Sequence, residues 1–341
     1  MLRYRAAELF DRARIPRALL SLRRRSGLSP WITILTYHRV APASAAGDFE
    51  DGTVDVTPEA FDGHLAFAKR WFDIIGMDDL LAFVRGGSLP QNPILFTFDD
   101  GYLDNRTAAL PILQKHGARA TFFISTTYVD DRRLFWWDRL SYMVKRSTRE
   151  RVAIDYPARA AFPLTNAAER REAFLGLQRF ITGHFGIDLW RFLDEVAGGT
   201  GVALSREDER RFAADMILTW DDVKALRAAG MDIQSHTRDH CILSTLGDTE
   251  LRTELGKSRE ILEGVLREPV RALSYPVGRG VISSTVRAEM KNNGYELGFT
   301  NGSGINHRWD FDRFNVHRIG LDVDTPESYF RSVMAVPYLG A

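Results

Sequence analysis

Cysteine is almost missing from this chain: 341 residues carry one thiol, Cys241. An internal disulfide and any cysteine-rich zinc module are thereby excluded. A reducing compartment fits, although a disulfide-free exported protein reads the same way. Net charge is missing too, since 45 basic residues balance 45 acidic ones, and no global field favours nucleic acid. No apolar run reaches the ~18 residues that a membrane-spanning helix needs. Internal repeats and low-complexity tracts are absent. What is present is an ordinary globular composition, 45% hydrophobic and 26% charged, which rules out wholesale disorder. The length suits roughly two domains, or one barrel of about 250 residues with additions.

The opening residues, MLRYRAAELFDRARIPRALLSLRRRSG, lack the unbroken apolar core of a secretory signal, because Glu8, Asp11, Arg12, Arg14 and Arg17 interrupt every candidate. Leu2, Leu9, Phe10, Ile15, Leu19, Leu20 and Leu22 fit one or two short amphipathic helices broken near Pro16. This N-terminal arm, residues 1–30, either packs on the body with its arginines in solvent or contacts an anionic membrane surface. The expected location is cytoplasmic, at the inner membrane face if the second choice holds.

Beyond the arm, strand and helix alternate. Ile32 to Tyr37, Pro93 to Phe98 and Ala120 to Ile124 read as strands, the second nearly continuous in apolar residues, as in a parallel sheet buried on both faces. Helical spacing runs through Pro58 to Phe72, Asp78 to Val84 and Ala108 to Lys115, the last ending at Gly117. Residues 131–215 change rhythm: Phe135, Trp136 and Trp137 open a stretch rich in Arg and Glu, read as a mostly helical insertion or lid. The alternation resumes with strands Met231 to Gln234, Val270 to Tyr275 and Leu297 to Thr300, and helices Asp221 to Ala229, Thr249 to Leu266 and Ser283 to Asn293. The pattern predicts an α/β fold whose barrel is shared by residues 31–130 and 216–330, with a C-terminal tail at 331–341.

Functional groups of parallel α/β folds gather at the carboxyl ends of strands, and three polar clusters fall there. Thr97-Phe98-Asp99-Asp100-Gly101-Tyr102 sets two adjacent carboxylates near a buried strand end, which is costly unless a cation or proton compensates. Helix capping accounts for one aspartate and not for the pair. Ser235-His236-Thr237-Arg238-Asp239-His240 carries two imidazoles four residues apart, within reach of one metal ion. Two imidazoles and one carboxylate leave coordination positions open, as in a catalytic site; the second aspartate remains as a base for water. Ser274-Tyr275-Pro276-Val277-Gly278 ends a third strand, where main-chain amides suit a developing oxyanion, or form a plain turn. His38 and His317 are the two candidates for a general acid.

In this order the clusters resemble the polysaccharide deacetylases of the NodB-homology type, carbohydrate esterase family 4. TFDDGY is similar to the family's first motif, SHTRDH to its histidine motif, and SYPVGRG, less closely, to its third, so the resemblance spans about residues 31–130 and 216–320. It implies a distorted (β/α) barrel, a divalent metal ion, usually zinc, and hydrolysis of N-acetyl groups on an amino-sugar polysaccharide to acetate and free amine. Asp99 then corresponds to the catalytic base; Asp100, His236 and His240 to the metal ligands; the Val277 amide to the oxyanion donor. Ser274 stands where many members have arginine and Val277 where they have an aromatic residue, so a side chain orienting the base is expected to be missing from that strand, with Arg318 as its substitute. The YHRV segment resembles the exopolysaccharide-processing branch, in which an early histidine supplies the acid; that ranks His38 ahead of His317.

Two other functions compete. A non-catalytic glycan-binding protein on the same scaffold predicts saccharide binding indifferent to Asp99. A glycosidase predicts chain cleavage and leaves His236 and His240 without a role. Trp136 and Trp137 suit either a sugar-stacking platform or the core of the insertion. The expected partner is an N-acetylated saccharide.

Overall fold

The computed structural model of the protein describes residues 2–26, 29–277, 282–302 and 304–339. Its centre is a ten-stranded sheet: β1 (Trp31–Tyr37), β2 (Asp73–Ile74), β3 (Pro93–Phe98), β4 (Thr121–Ile124), β5 (Asp232–Ser235), β6 (Ala272–Ser274), β7 (Leu297–Thr300), β8 (Asn306–His307), β9 (Val316–His317) and β10 (Ile319–Gly320). The order is β8-β1-β3-β4-β5-β6-β7-β9, with β2 added to β3 and β10 to β1. From β1 to β9 every pair is parallel, as helical crossovers require, and only β8 runs antiparallel. The segment β9–β10 brings the ends together: Val316 and His317 pair with β7, and Ile319 and Gly320 pair with β1. Arg318 is the one residue between those pairings, at the seam of a nearly closed barrel.

Strand alternation explains what the barrel encloses. Ile32 and Ile34 of β1, Leu95, Phe123, Ala272, Leu297, Phe299 and Val316 form one apolar cluster with Met77, Leu80 and Leu81 of the helix Met77–Val84. Continuing two residues along the same faces leads from Leu95 to Thr97 and Asp99, from Ala272 to Ser274, and from Val316 to Arg318. The interior is thus apolar at one end and polar at the carboxyl ends of its strands.

Within residues 131–215 the chain is mostly helical, with one addition. A two-stranded antiparallel hairpin, Arg151–Ile154 with Ala160–Pro163, sits among its helices. Arg132 ties the segment's entry to its exit, donating to the carbonyls of Ala213, Ile217 and Leu218 at 2.6–2.9 Å. Phe135, Leu140, Val152, Phe174, Leu177 and Phe192 belong to the same buried cluster as Tyr37, Phe98 and Phe122 of the barrel. A shared core joins the insertion to the barrel.

The C-terminal tail expected at 331–341 needs correction. Glu327–Ala335 is a helix whose Phe330, Val333 and Met334 are buried. It packs against α1 (Leu2–Arg12) and α2 (Ile15–Ser26), with an Arg331–Asp11 pair at 2.6 and 2.9 Å and an Arg23 bond to the Ala335 carbonyl at 2.5 Å. The arm and the tail therefore form one helical unit on the body. Short-range periodicity does not reveal this, because the contact joins chain ends more than 300 residues apart.

Candidate active site and metal centre

The turn after β3 separates the two aspartates. Asp100 has φ 74° and Gly101 φ 104°, so the chain reverses at once and Asp100 swings away from the barrel interior that holds Asp99. Left-handed backbone is tolerated by Asp and is natural for Gly. In the histidine loop Thr237 (φ 64°) and His240 (φ 55°) are left-handed too, and Val277 after β6 has φ 61°. A β-branched residue in that region is strained, and such strain concentrates at functional sites.

These turns bring three donor atoms together. Asp100 Oδ1 lies 3.3 Å from His236 Nε2 and 3.3 Å from His240 Nε2, and the three donor atoms all lie within 4.8 Å of one another. All three side chains are buried. The His236 ring is fixed from behind, with Nδ1 2.8 Å from the Ser274 carbonyl. That bond assigns the proton to Nδ1 and turns the Nε2 lone pair toward Asp100. Yet Asp100 Oδ1 has no hydrogen-bond partner. Buried lone pairs facing each other at this distance call for a cation. Two ligands of a tetrahedral ion bound at about 2.0–2.1 Å stand about 3.3 Å apart, so the residues fit a small divalent ion. Burial keeps His240 low, the deprotonated form that a ligand needs.

Asp99 is held separately. Arg318 grips it with both arms, at 2.8 Å to Oδ1 and 2.6 Å to Oδ2, and also reaches Ser274 Oγ at 2.7 Å, Thr97 Oγ1 at 3.2 Å and Asn301 Oδ1. Both charged side chains are fully buried. Desolvation pushes the Asp99 carboxyl upward, and the guanidinium overcomes it, leaving it lowered. One expectation is corrected here: β6 does supply a side chain that orients Asp99, because Ser274 Oγ donates to Oδ2 at 2.9 Å. A hydroxyl suffices where Arg318 arrives from the barrel seam.

A cavity of about 250 Å³ opens above these groups, lined among others by His38, Glu50, Asp100, His236, His240 and Val277. His38 Nδ1 is 3.0 Å from Asp55 Oδ2, and its main-chain amide donates to the same oxygen. Burial disfavours the imidazolium, but Asp55 outweighs it and raises His38 to about 10. His317 is not among the cavity-lining residues; its Nδ1 is engaged 3.0 Å from the Gly302 carbonyl, as expected for a neighbour of the inward Arg318. Gly278, Arg279 and Gly280, the end of the third motif, lie outside the described residues.

Trp136 and Trp137 edge the cavity but are buried. Trp137 stacks on Phe135 at 4.6 Å and meets the His240 ring at 4.5 Å, while Nε1 donates to the Tyr102 hydroxyl at 2.7 Å. Its surfaces are taken, so it buttresses His240 instead of offering a platform for sugar. Asp55 and Glu254 escaped the sequence reading. Glu254 accepts from the amides of Arg238 and Asp239 at 3.1 and 2.9 Å, shaping the histidine loop from the helix Asp248–Leu266. A carboxylate inside the β-branched triplet Val54-Asp55-Val56 was the available signal for the first; a helical glutamate offers none.

The fold is an α/β barrel with a buried Asp-His-His cluster at its strand ends. Residues 86–154 and 180–298 match the family model for polysaccharide deacetylase, more than half of the chain, and the protein belongs to that family of enzymes. It is 22% identical over 305 residues to YxkH of Bacillus subtilis (strain 168), spanning 88% of this chain and 74% of that protein. Among solved structures it is similar to the Streptococcus pyogenes deacetylase PplD, with TM-score 0.57 and 18% identity over 90% of this chain and 99% of the other. It is also similar to IcaB from Ammonifex degensii, with TM-score 0.56 and 17% identity over 92% and 98%. The distorted NodB-type barrel expected from the motifs is the fold observed.

Proposed function

We propose that the protein is a metal-dependent deacetylase that removes N-acetyl groups from an amino-sugar-containing polysaccharide. The observation that carries this reading is the buried Asp100-His236-His240 set opening into a cavity beside a separately held Asp99. A divalent ion bound by the three residues, most simply zinc, supplies Lewis-acid polarisation of the amide carbonyl and lowers the pKa of water. Asp99, kept ionised by Arg318, accepts the proton of the attacking water. The Val277 amide is the donor proposed for the developing oxyanion. As the carbon–oxygen bond forms and the carbon–nitrogen bond breaks, protonated His38 gives its proton to the departing amine. Acetate and a free amino sugar result. The hold of Arg318 and Ser274 on Asp99 supports this reading over the glycan-binding alternative.

The reading is tested by incubating the protein with N-acetylglucosamine oligomers and measuring acetate and primary amine together. Both should appear in equal amounts, disappear with a chelator and return with added divalent ion. Shortened chains without acetate would mark a glycosidase. Replacing the two candidate acids separately distinguishes them: His38→Ala should lower turnover by about 10²-fold or more with metal retained, while His317→Ala should stay near wild type. Equal losses would remove His38 from the role.

The charge on His38 gives a pH signature. A folded-state value raised to about 10 keeps the imidazolium through neutral pH and loses it as pH rises through that value. The alkaline limb of kcat should therefore lie near 10. Asp55→Asn removes the opposing charge and should move the limb downward, toward the ordinary histidine value of about 6.5. An unmoved limb would assign it to another group.

A further inference from the structure

We propose that the outer face of α1 and α2 is a peripheral docking surface for a bilayer that carries anionic headgroups. Docking on the body uses one face of α2, where Pro16, Leu20 and Arg23 are buried at i, i+4 and i+7. A second stripe, Ile15, Leu19 and Leu22, follows the same spacing about 100° around the helix and is left exposed, Leu22 at 65%; Leu9 of α1 is exposed at 68%. Single exposed aliphatics are ordinary, but a continuous stripe of them on a docked helix is not.

The charge around the stripe selects its occupant. Residues 2–26 hold eight arginines against Glu8 and Asp11, a net of +6 in a chain whose formal charge is zero. Arg3, Arg5, Arg12, Arg14, Arg17, Arg24 and Arg25 are exposed. A second copy meeting this face would set two such clusters against each other, and nucleic acid would leave the leucines without a function. An anionic bilayer uses both, burying the aliphatics at the headgroup boundary while the arginines meet phosphate. Helices of 11 and 12 residues lie on a surface, and among the described residues no helix is long and apolar enough to cross a membrane.

The test is co-sedimentation of the full chain with phosphatidylcholine vesicles and with equal-part phosphatidylglycerol/phosphatidylcholine vesicles. Wild type should pellet with the anionic vesicles at least about 10-fold more than with the neutral ones, and high salt should release it. Leu19→Glu/Leu22→Glu and Arg14→Gln/Arg17→Gln/Arg25→Gln should each lose most of that binding, with melting temperatures near wild type because all five positions are solvent-facing. No preference for anionic vesicles, or full binding by the leucine variant, overturns the proposal. A wild-type dimer that the leucine variant breaks overturns it equally, by giving the stripe to a second copy.

Discussion

Asp99→Asn should lower turnover of acetate release by about 10²–10⁴-fold while metal content stays unchanged. The side chain sits between two roles that geometry separates. Its nearest histidine nitrogen, His236 Nε2, is 3.9 Å from Oδ2, against 3.3 Å for Asp100, so Asp99 faces the Asp100-His236-His240 set without joining it. Both of its oxygens are engaged by Arg318, and Oδ2 also by Ser274. An amide of the same shape keeps the space filled but cannot take a proton from water. Loss of metal together with activity would make Asp99 a ligand, and an unaffected rate would place the base elsewhere. Measuring turnover and metal content on one preparation separates these outcomes.

Arg318→Met should be the most destabilising single change in the barrel, by about 3–5 kcal/mol, because it leaves the Asp99 carboxylate buried without its cation. The double variant Asp99→Asn/Arg318→Met should recover much of the loss, since no orphan charge remains; thermal melting of the four proteins gives the coupling directly. The pH dependence has a definite sign. Arg318 holds the folded-state Asp99 below its ordinary value, so the pair's contribution is complete above about pH 4. It is lost as pH falls through the lowered folded value. The gap between wild type and Arg318→Met should therefore narrow only in acid. A gap that persists unchanged there would show that Arg318 acts by packing alone.

The position of Arg318 also shows what could be read from residue order and what could not. Asp99-Asp100 follows a strand in which apolar residues fill both faces, so its place at a strand end is local information, and so is that of His236 after β5. Strand alternation then carries Asp99 inward. The meeting of Arg318 with Asp99 depends on the barrel seam, where β9 and β10 are two residues long and leave no periodic trace. His38 was legible as a strand-end residue, but its partner Asp55 lies in a three-residue strand that, among the described residues, pairs only with Arg39–Val40. The part played by Ser274 is not legible in the sequence, because position alone does not show that a hydroxyl lies within 2.9 Å of Asp99. The tryptophans at 136 and 137 were equally ambiguous, since only packing distinguishes a buttress from a platform.

The claim on which the rest depends is that Asp100, His236 and His240 hold one divalent ion. Calorimetric titration of zinc into metal-stripped protein measures this most directly. The account predicts one ion per chain for wild type, with binding lost in His236→Ala and in His240→Ala variants that still fold. One ion bound with undiminished affinity by both variants would contradict it.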